Sequence, residues 1–148
     1  MRPWILLLIL AGLSLGLAGC VHAPAAPGTP QPFLSACDAS NEGQLIAVEG
    51  YLRLPPALDS SKSVMLRLYP DPSFQGRPVG VQMRFGDGPN EAQKISSSYH
   101  DNDLKVHLAD GQAIPFGKRV RVSGRVFFPL QPQDYACALQ GPYVEPAN

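Results

Sequence analysis

Net charge is the first thing this 148-residue chain lacks: 12 Lys and Arg stand against 12 Asp and Glu. That balance excludes a global electrostatic pull toward nucleic acid or an anionic membrane. Histidine is scarce, with only His22, His100 and His107. Cysteine occurs at positions 20, 37 and 137 alone, and none has a histidine at zinc-motif spacing. Beyond Cys20 the chain contains no G-x-S-x-G, no H-E-x-x-H, no P-loop and no G-x-G-x-x-G, so no signature residue set for hydrolysis, nucleotide binding or hydride transfer is in place there. The apolar run ahead of Cys20 is shorter than the ~20 residues a spanning helix needs.

Glycine and proline are plentiful, at 14 and 16 residues. They break the chain into short elements with many turns, which points to an all-β domain. The N-terminus has a different character. Arg2 is followed by WILLLIL and then by small and apolar residues up to Cys20, the length and flanks of a cleaved signal peptide. Leu17-Ala18-Gly19-Cys20 resembles the lipobox of bacterial lipoproteins. The resemblance implies cleavage before Cys20, a diacylglyceryl group on its sulfur, and often a further acyl chain on the new amino terminus. Two or three acyl chains anchor stably where one does not. Val21, and not Asp, follows the cysteine, which in Gram-negative members leans toward the outer membrane. The expected organisation is a signal peptide over residues 1–19, a lipidated, Pro/Ala-rich tether over 20–35, and a folded domain over 36–148. Pro24, Pro27, Pro30 and Pro32 make the tether an extended spacer, long enough to hold a domain ~40 Å off the lipid surface.

Strand patterns dominate after Ser35, over residues 44–54, 63–69, 79–85, 104–108, 118–128 and 136–144. In the clearest, Val120, Val122, Gly124, Val126 and Phe128 share one face and Arg119, Arg121, Ser123 and Arg125 the other, the period of a half-buried strand. Gly50 suggests a bulge. Residues 86–103 carry no strand pattern, and a short helix is expected over 90–95. VEGYL early and RVRVSGRV late resemble pieces of the OB-fold, a five- to six-stranded Greek-key barrel. In that topology the first and fourth strands pair, which brings Cys37 near Cys137. With Cys20 taken by lipid, the remaining two cysteines are an even pair in an exported chain and are expected to form a disulfide.

Residues for chemistry are thin. His100, Asp101, Asp103 and His107 lie close in sequence, but their spacing fits no standard metal motif, and His107 falls at an outward strand position. No metal, cofactor or catalytic residue is expected. The basic residues are more telling. Arg67, Arg84, Lys105, Arg119, Arg121 and Arg125 fall in strands, mostly at outward positions, with Tyr69 and Phe127 among them, while the acids gather in loops. The resulting wall resembles the oligomer-binding face of OB domains. These eight residues are the candidate ligand contacts. The expected role is a membrane-anchored envelope binding module for an anionic glycan or other polyanion, or for a partner protein. The alternatives are an accessory subunit of an envelope complex, and a metal-binding or enzymatic protein using His100 and His107.

Overall fold

The computed structural model describes residues 24–130 and 134–148; the expected signal peptide, Cys20 and the first residues of the tether lie outside the described residues. Eight strands follow in chain order: β1 (Thr29–Pro30), β2 (Leu45–Arg53), β3 (Ser63–Tyr69), β4 (Val79–Arg84), β5 (Lys105–His107), β6 (Ala113–Pro115), β7 (Arg119–Phe127) and β8 (Ala138–Pro146). Helical structure among the described residues is limited to three-residue 3-10 turns.

β2, β3 and β4 form an antiparallel meander, β8 lies parallel to β4 and antiparallel to β7, and β7 pairs back onto β2. That circuit closes a five-stranded barrel with the OB strand order, as expected. β2 serves both halves, pairing with β7 from Leu45 to Tyr51 and with β3 from Tyr51 to Arg53. The strand turns from one partner to the other at Gly50, where an added Cβ would stand 2.3 Å from the Tyr69 carbonyl oxygen. Only glycine permits that approach. The register shift lies instead between β7 and β8, from Ser123 to Arg125. Inward positions fill the barrel with Ile46, Leu66, Leu68, Met83, Val122, Leu139 and Val144, all fully buried. Each contributes roughly 1.5–3 kcal/mol of hydrophobic stabilisation.

The short helix expected over 90–95 does not form. Asn90 adopts a left-handed backbone with φ 60°, and Ala92 bridges Phe85 on one side and Val106 on the other. The segment offers too little helical periodicity to compete with lateral bonds. The Ala92 N–H donates to the Arg84 carbonyl and the Gln93 N–H to the Lys105 carbonyl, both at 2.9 Å. The β5–β6 hairpin then carries Leu104, Val106 and Leu108 into the core cluster.

Part of the expected tether is also folded. β1 pairs in parallel with Ile46 and Ala47, and the Gln31 N–H donates to the Ala47 carbonyl at 2.9 Å. β3 pairs with β2 only from Tyr51 onward, which leaves that edge of β2 free to take β1. Gly28 makes the approach possible, since a Cβ there would lie 2.4 Å from the Ile46 backbone. Composition alone reads this Pro-rich stretch as a spacer, whereas residues 28–35 belong to the folded domain. Cys37 and Cys137 form the expected disulfide, with Cα atoms 5.4 Å apart across 100 residues of sequence. The end of β7 brings them together: Glu42, just ahead of β2, bridges Val126, just ahead of the loop to β8.

Candidate binding site

The eight candidate contacts do not form one wall. Arg119 and Arg121 both bond Glu49, at 3.1 and 2.7 Å. The barrel register sets Glu49 directly opposite Arg121, so one β2 carboxylate holds two β7 guanidiniums. Lys105 is exposed on the β5–β6 hairpin, and Phe127 is half-buried at the end of β7. Tyr69 is not offered to a ligand: it is buried, with the Phe74 ring edge-on against it at 5.5 Å. Phe74 in turn stacks on Phe116 and lies under the Arg53 guanidinium. Its φ of 55° is uncommon for a bulky side chain and costs on the order of 1–2 kcal/mol. These ring contacts hold the β3–β4 loop in place.

Two of the eight, Arg67 and Arg84, share the outer face of the β3–β4 hairpin. The register there runs Ser63 opposite Arg84, Met65 opposite Gln82, and Arg67 opposite Gly80. Over this face lies an open cleft of about 300 Å³, walled by Pro55–Ser60 side chains of the β2–β3 loop and by Asp134 and Tyr135 of the β7–β8 loop. Met65, Arg67 and Gln82 form its floor. An adjoining hollow of about 340 Å³ shares Arg67 and adds Arg53, Tyr99, His100 and Asp101. The two hollows thus meet at Arg67.

The cleft is polar and internally balanced. The Arg67 guanidinium is largely sheltered, at 20% side-chain exposure, and bonds Asp134 at 3.3 Å, whose own side chain is 65% exposed. Such an exposed acid can be displaced at little cost, since exposed pairs are worth ~0–1 kcal/mol. The Arg53 Nε–H donates to Asp101 at 2.8 Å. The Tyr99 hydroxyl donates to the Pro55 carbonyl at 2.6 Å. Burial pushes the Tyr99 phenol above its ordinary pKa, the negative charges of Asp101 and Asp59 push it the same way, and Arg67 opposes them. Asp59, Tyr99, Asp101 and Arg67 are therefore electrostatic neighbours around one opening.

A second group is basic and unpaired. Lys62, Arg84 and Lys94 line one open groove of about 590 Å³ with Asp87. Arg84 and Arg125 line another of about 540 Å³, beside residues 24–26 of the incoming chain. None of these four bases has a carboxylate partner among the described residues; Arg125 donates to the Gly43 carbonyl at 3.1 Å. Ser63 and Gln82 line the Arg67 cleft and both basic grooves, so the three openings adjoin there.

His100 and His107 do not converge on a metal site: no group of three potential His, Cys, Asp or Glu ligands exists among the described residues. Both His107 ring nitrogens are buried without a hydrogen-bond partner, so of the two directions its outward strand position allows, solvent or another strand's outer face, the ring is not turned to solvent. Asp134, Tyr135, Tyr99, Lys62 and Lys94 were not singled out from sequence. They sit in loops or irregular backbone, where no periodicity marks a side chain's direction. Comparison with protein families, curated proteins and solved structures returns no match for this chain.

Proposed function

We propose that this protein is an exported, lipid-anchored, non-catalytic binding module of the cell envelope, which takes an anionic glycan or a carboxylate-bearing partner across the outer face of β3–β4. One observation carries the binding reading. The face between the β2–β3 and β7–β8 loops, where OB barrels hold oligomers, is an open cleft with Arg67 at its centre and Tyr135 on its wall. Arg67 exchanges the exposed Asp134 for a ligand carboxylate, a fork-shaped donor being suited to that geometry. Tyr135 supplies a flat surface for a sugar ring. Anchoring is supported by Leu17-Ala18-Gly19-Cys20 and is checked by the acyl mass on the N-terminal peptide of the mature protein.

Titration of acidic oligosaccharides against the mature protein tests the binding reading. The expected result is affinity that weakens with salt and falls at least tenfold in Arg67→Ala. Arg119→Gln with Arg121→Gln is expected to bind as wild type, because Glu49 already occupies both guanidiniums. Binding that is unmoved by salt and by Arg67→Ala, or lost in the β7 pair instead, overturns it.

A further inference from the structure

Most strand arginines face a carboxylate, but four bases without a carboxylate partner among the described residues, Lys62, Arg84, Lys94 and Arg125, gather where the chain enters the barrel. β1 runs parallel to β2, so the preceding residues approach from the Leu45 side, and Leu45 is paired with Arg125. Residues 24–26 lie along the groove that Arg84 and Arg125 line. Lys62 and Lys94 flank Arg84 in the neighbouring groove. Two acids border these bases. Asp87 is exposed, and Glu91 is turned onto the Gly88 N–H at 3.0 Å. The cluster therefore keeps a net positive charge in an otherwise neutral chain.

Chain length then fixes how far this cluster can stand from the anchor. Pro24 is four residues beyond Cys20, and a fully extended chain spans at most ~3.6 Å per residue. The groove wall at Pro24 thus lies within ~15 Å of the Cys20 backbone, comparable to the ~8–10 Å screening length of physiological salt. The expected ~40 Å spacer is not available, because β1 and the groove take up its second half.

We infer that Lys62, Arg84, Lys94 and Arg125 seat the barrel on phosphate-bearing lipid headgroups of the membrane that holds Cys20. The inference rests on the lipid-anchor reading above. Each basic residue near an anionic bilayer strengthens contact about fivefold, so four make an orientation-setting surface once the acyl chains have paid the cost of bringing the barrel to the bilayer. An acyl chain plus a basic patch is a recognised two-part attachment.

The chain's four lysines provide the assay. Lys62 and Lys94 lie in the cluster, and Lys118 stands seven residues back along the chain from Arg125, about 23 Å at strand rise. The mature acylated protein is placed in nanodiscs of phosphatidylcholine, with or without phosphatidylglycerol, and lysine acylation is followed by mass spectrometry. Phosphatidylglycerol is expected to slow modification of Lys62 and Lys94 several-fold and to leave Lys118 unchanged. In Arg84→Gln with Arg125→Gln, Lys94 is expected to regain most of its reactivity. Equal reactivity of Lys62 and Lys94 in both lipids overturns the inference, as does equal protection of Lys118. Absence of an acyl group on the purified N-terminus fails the anchor reading instead, and is seen in the same spectra before any nanodisc is made.

Discussion

Breaking the Cys37–Cys137 bridge has a calculable effect. Closing a loop of 100 residues removes unfolded-chain entropy worth ~4 to 5 kcal/mol in the chain-entropy model. Cys137 is fully buried and Cys37 only half-buried, so Cys37→Ala isolates the crosslink while Cys137 keeps filling its site. A domain of this size has a total stability of about 5–15 kcal/mol. The variant therefore gives up a third or more of it. With a urea dependence of about 1.5 kcal/mol per molar, the unfolding midpoint should fall by about 3 M. The assay is equilibrium urea unfolding followed by far-ultraviolet circular dichroism, on oxidised wild type and on Cys37→Ala. A parallel hydrogen-exchange measurement shows where protection is lost. An effect through the unfolded state lowers protection across the whole barrel, β3 and β4 included. A midpoint shift below ~0.5 M, with protection lost only over residues 28–42, would falsify the crosslinking mechanism and make the bridge a local clasp for the N-terminal segment. Alkylatable thiols at Cys37 and Cys137 in the native protein would remove the bridge itself.

Three further outcomes follow from single contacts. Gly50→Ala drives a Cβ into the Tyr69 carbonyl and should cost at least ~1–3 kcal/mol, read as a lowered melting temperature, whereas an unchanged melt would mean that β2 does not turn there. Asn90→Ala loses both a tolerated left-handed backbone and the hydrogen bond from the Val144 N–H at 2.8 Å; ~1–3 kcal/mol of destabilisation is expected, and Asn90→Gly should recover the backbone part alone. Tyr99 holds its proton longer when folded than when unfolded. Its contribution to stability is therefore complete below pH ~10, the unfolded phenol's value, and is lost as pH rises from there through the raised folded value; Tyr99→Phe should flatten that alkaline decline, and an unchanged slope counts against the pKa shift.

The barrel was legible because its signal is local. In β3 and β7, most alternate residues separate into an apolar buried face and a less buried one that carries the arginines, and turn chemistry divides the strands. The disulfide was legible because topology and cysteine count agree on the same two residues. Ala113–Pro115 was not seen as a strand, since three residues ending in proline carry no period. Residues 28–35 are hard to read in sequence for a related reason. Proline content predicts extended backbone equally well for a free spacer and for a strand seated on a vacant edge, and only the Gly28 approach to Ile46 separates the two. The candidate site was less legible still. Outward arginines on β3 and β7 look alike in sequence. Glu49 distinguishes them, and its place opposite Arg121 exists only once β7 closes onto β2.

The barrel's closure and its entry route together constrain what can reach the cleft. Ser63 and Gln82 border both the Arg67 cleft and the basic grooves. In the proposed seating through Arg84 and Arg125, the cleft would lie at the edge of the headgroup layer. In that seating, a ligand entering between Tyr135 and the β2–β3 loop would have to be presented along the membrane surface. That favours the carbohydrate of a membrane-bound glycolipid, or an extended chain lying against the bilayer, over a globular protein diffusing in from solution. With the anchor proposed at Cys20, only four residues separate it from Pro24 at the groove, and that short reach would keep the barrel close to the lipid.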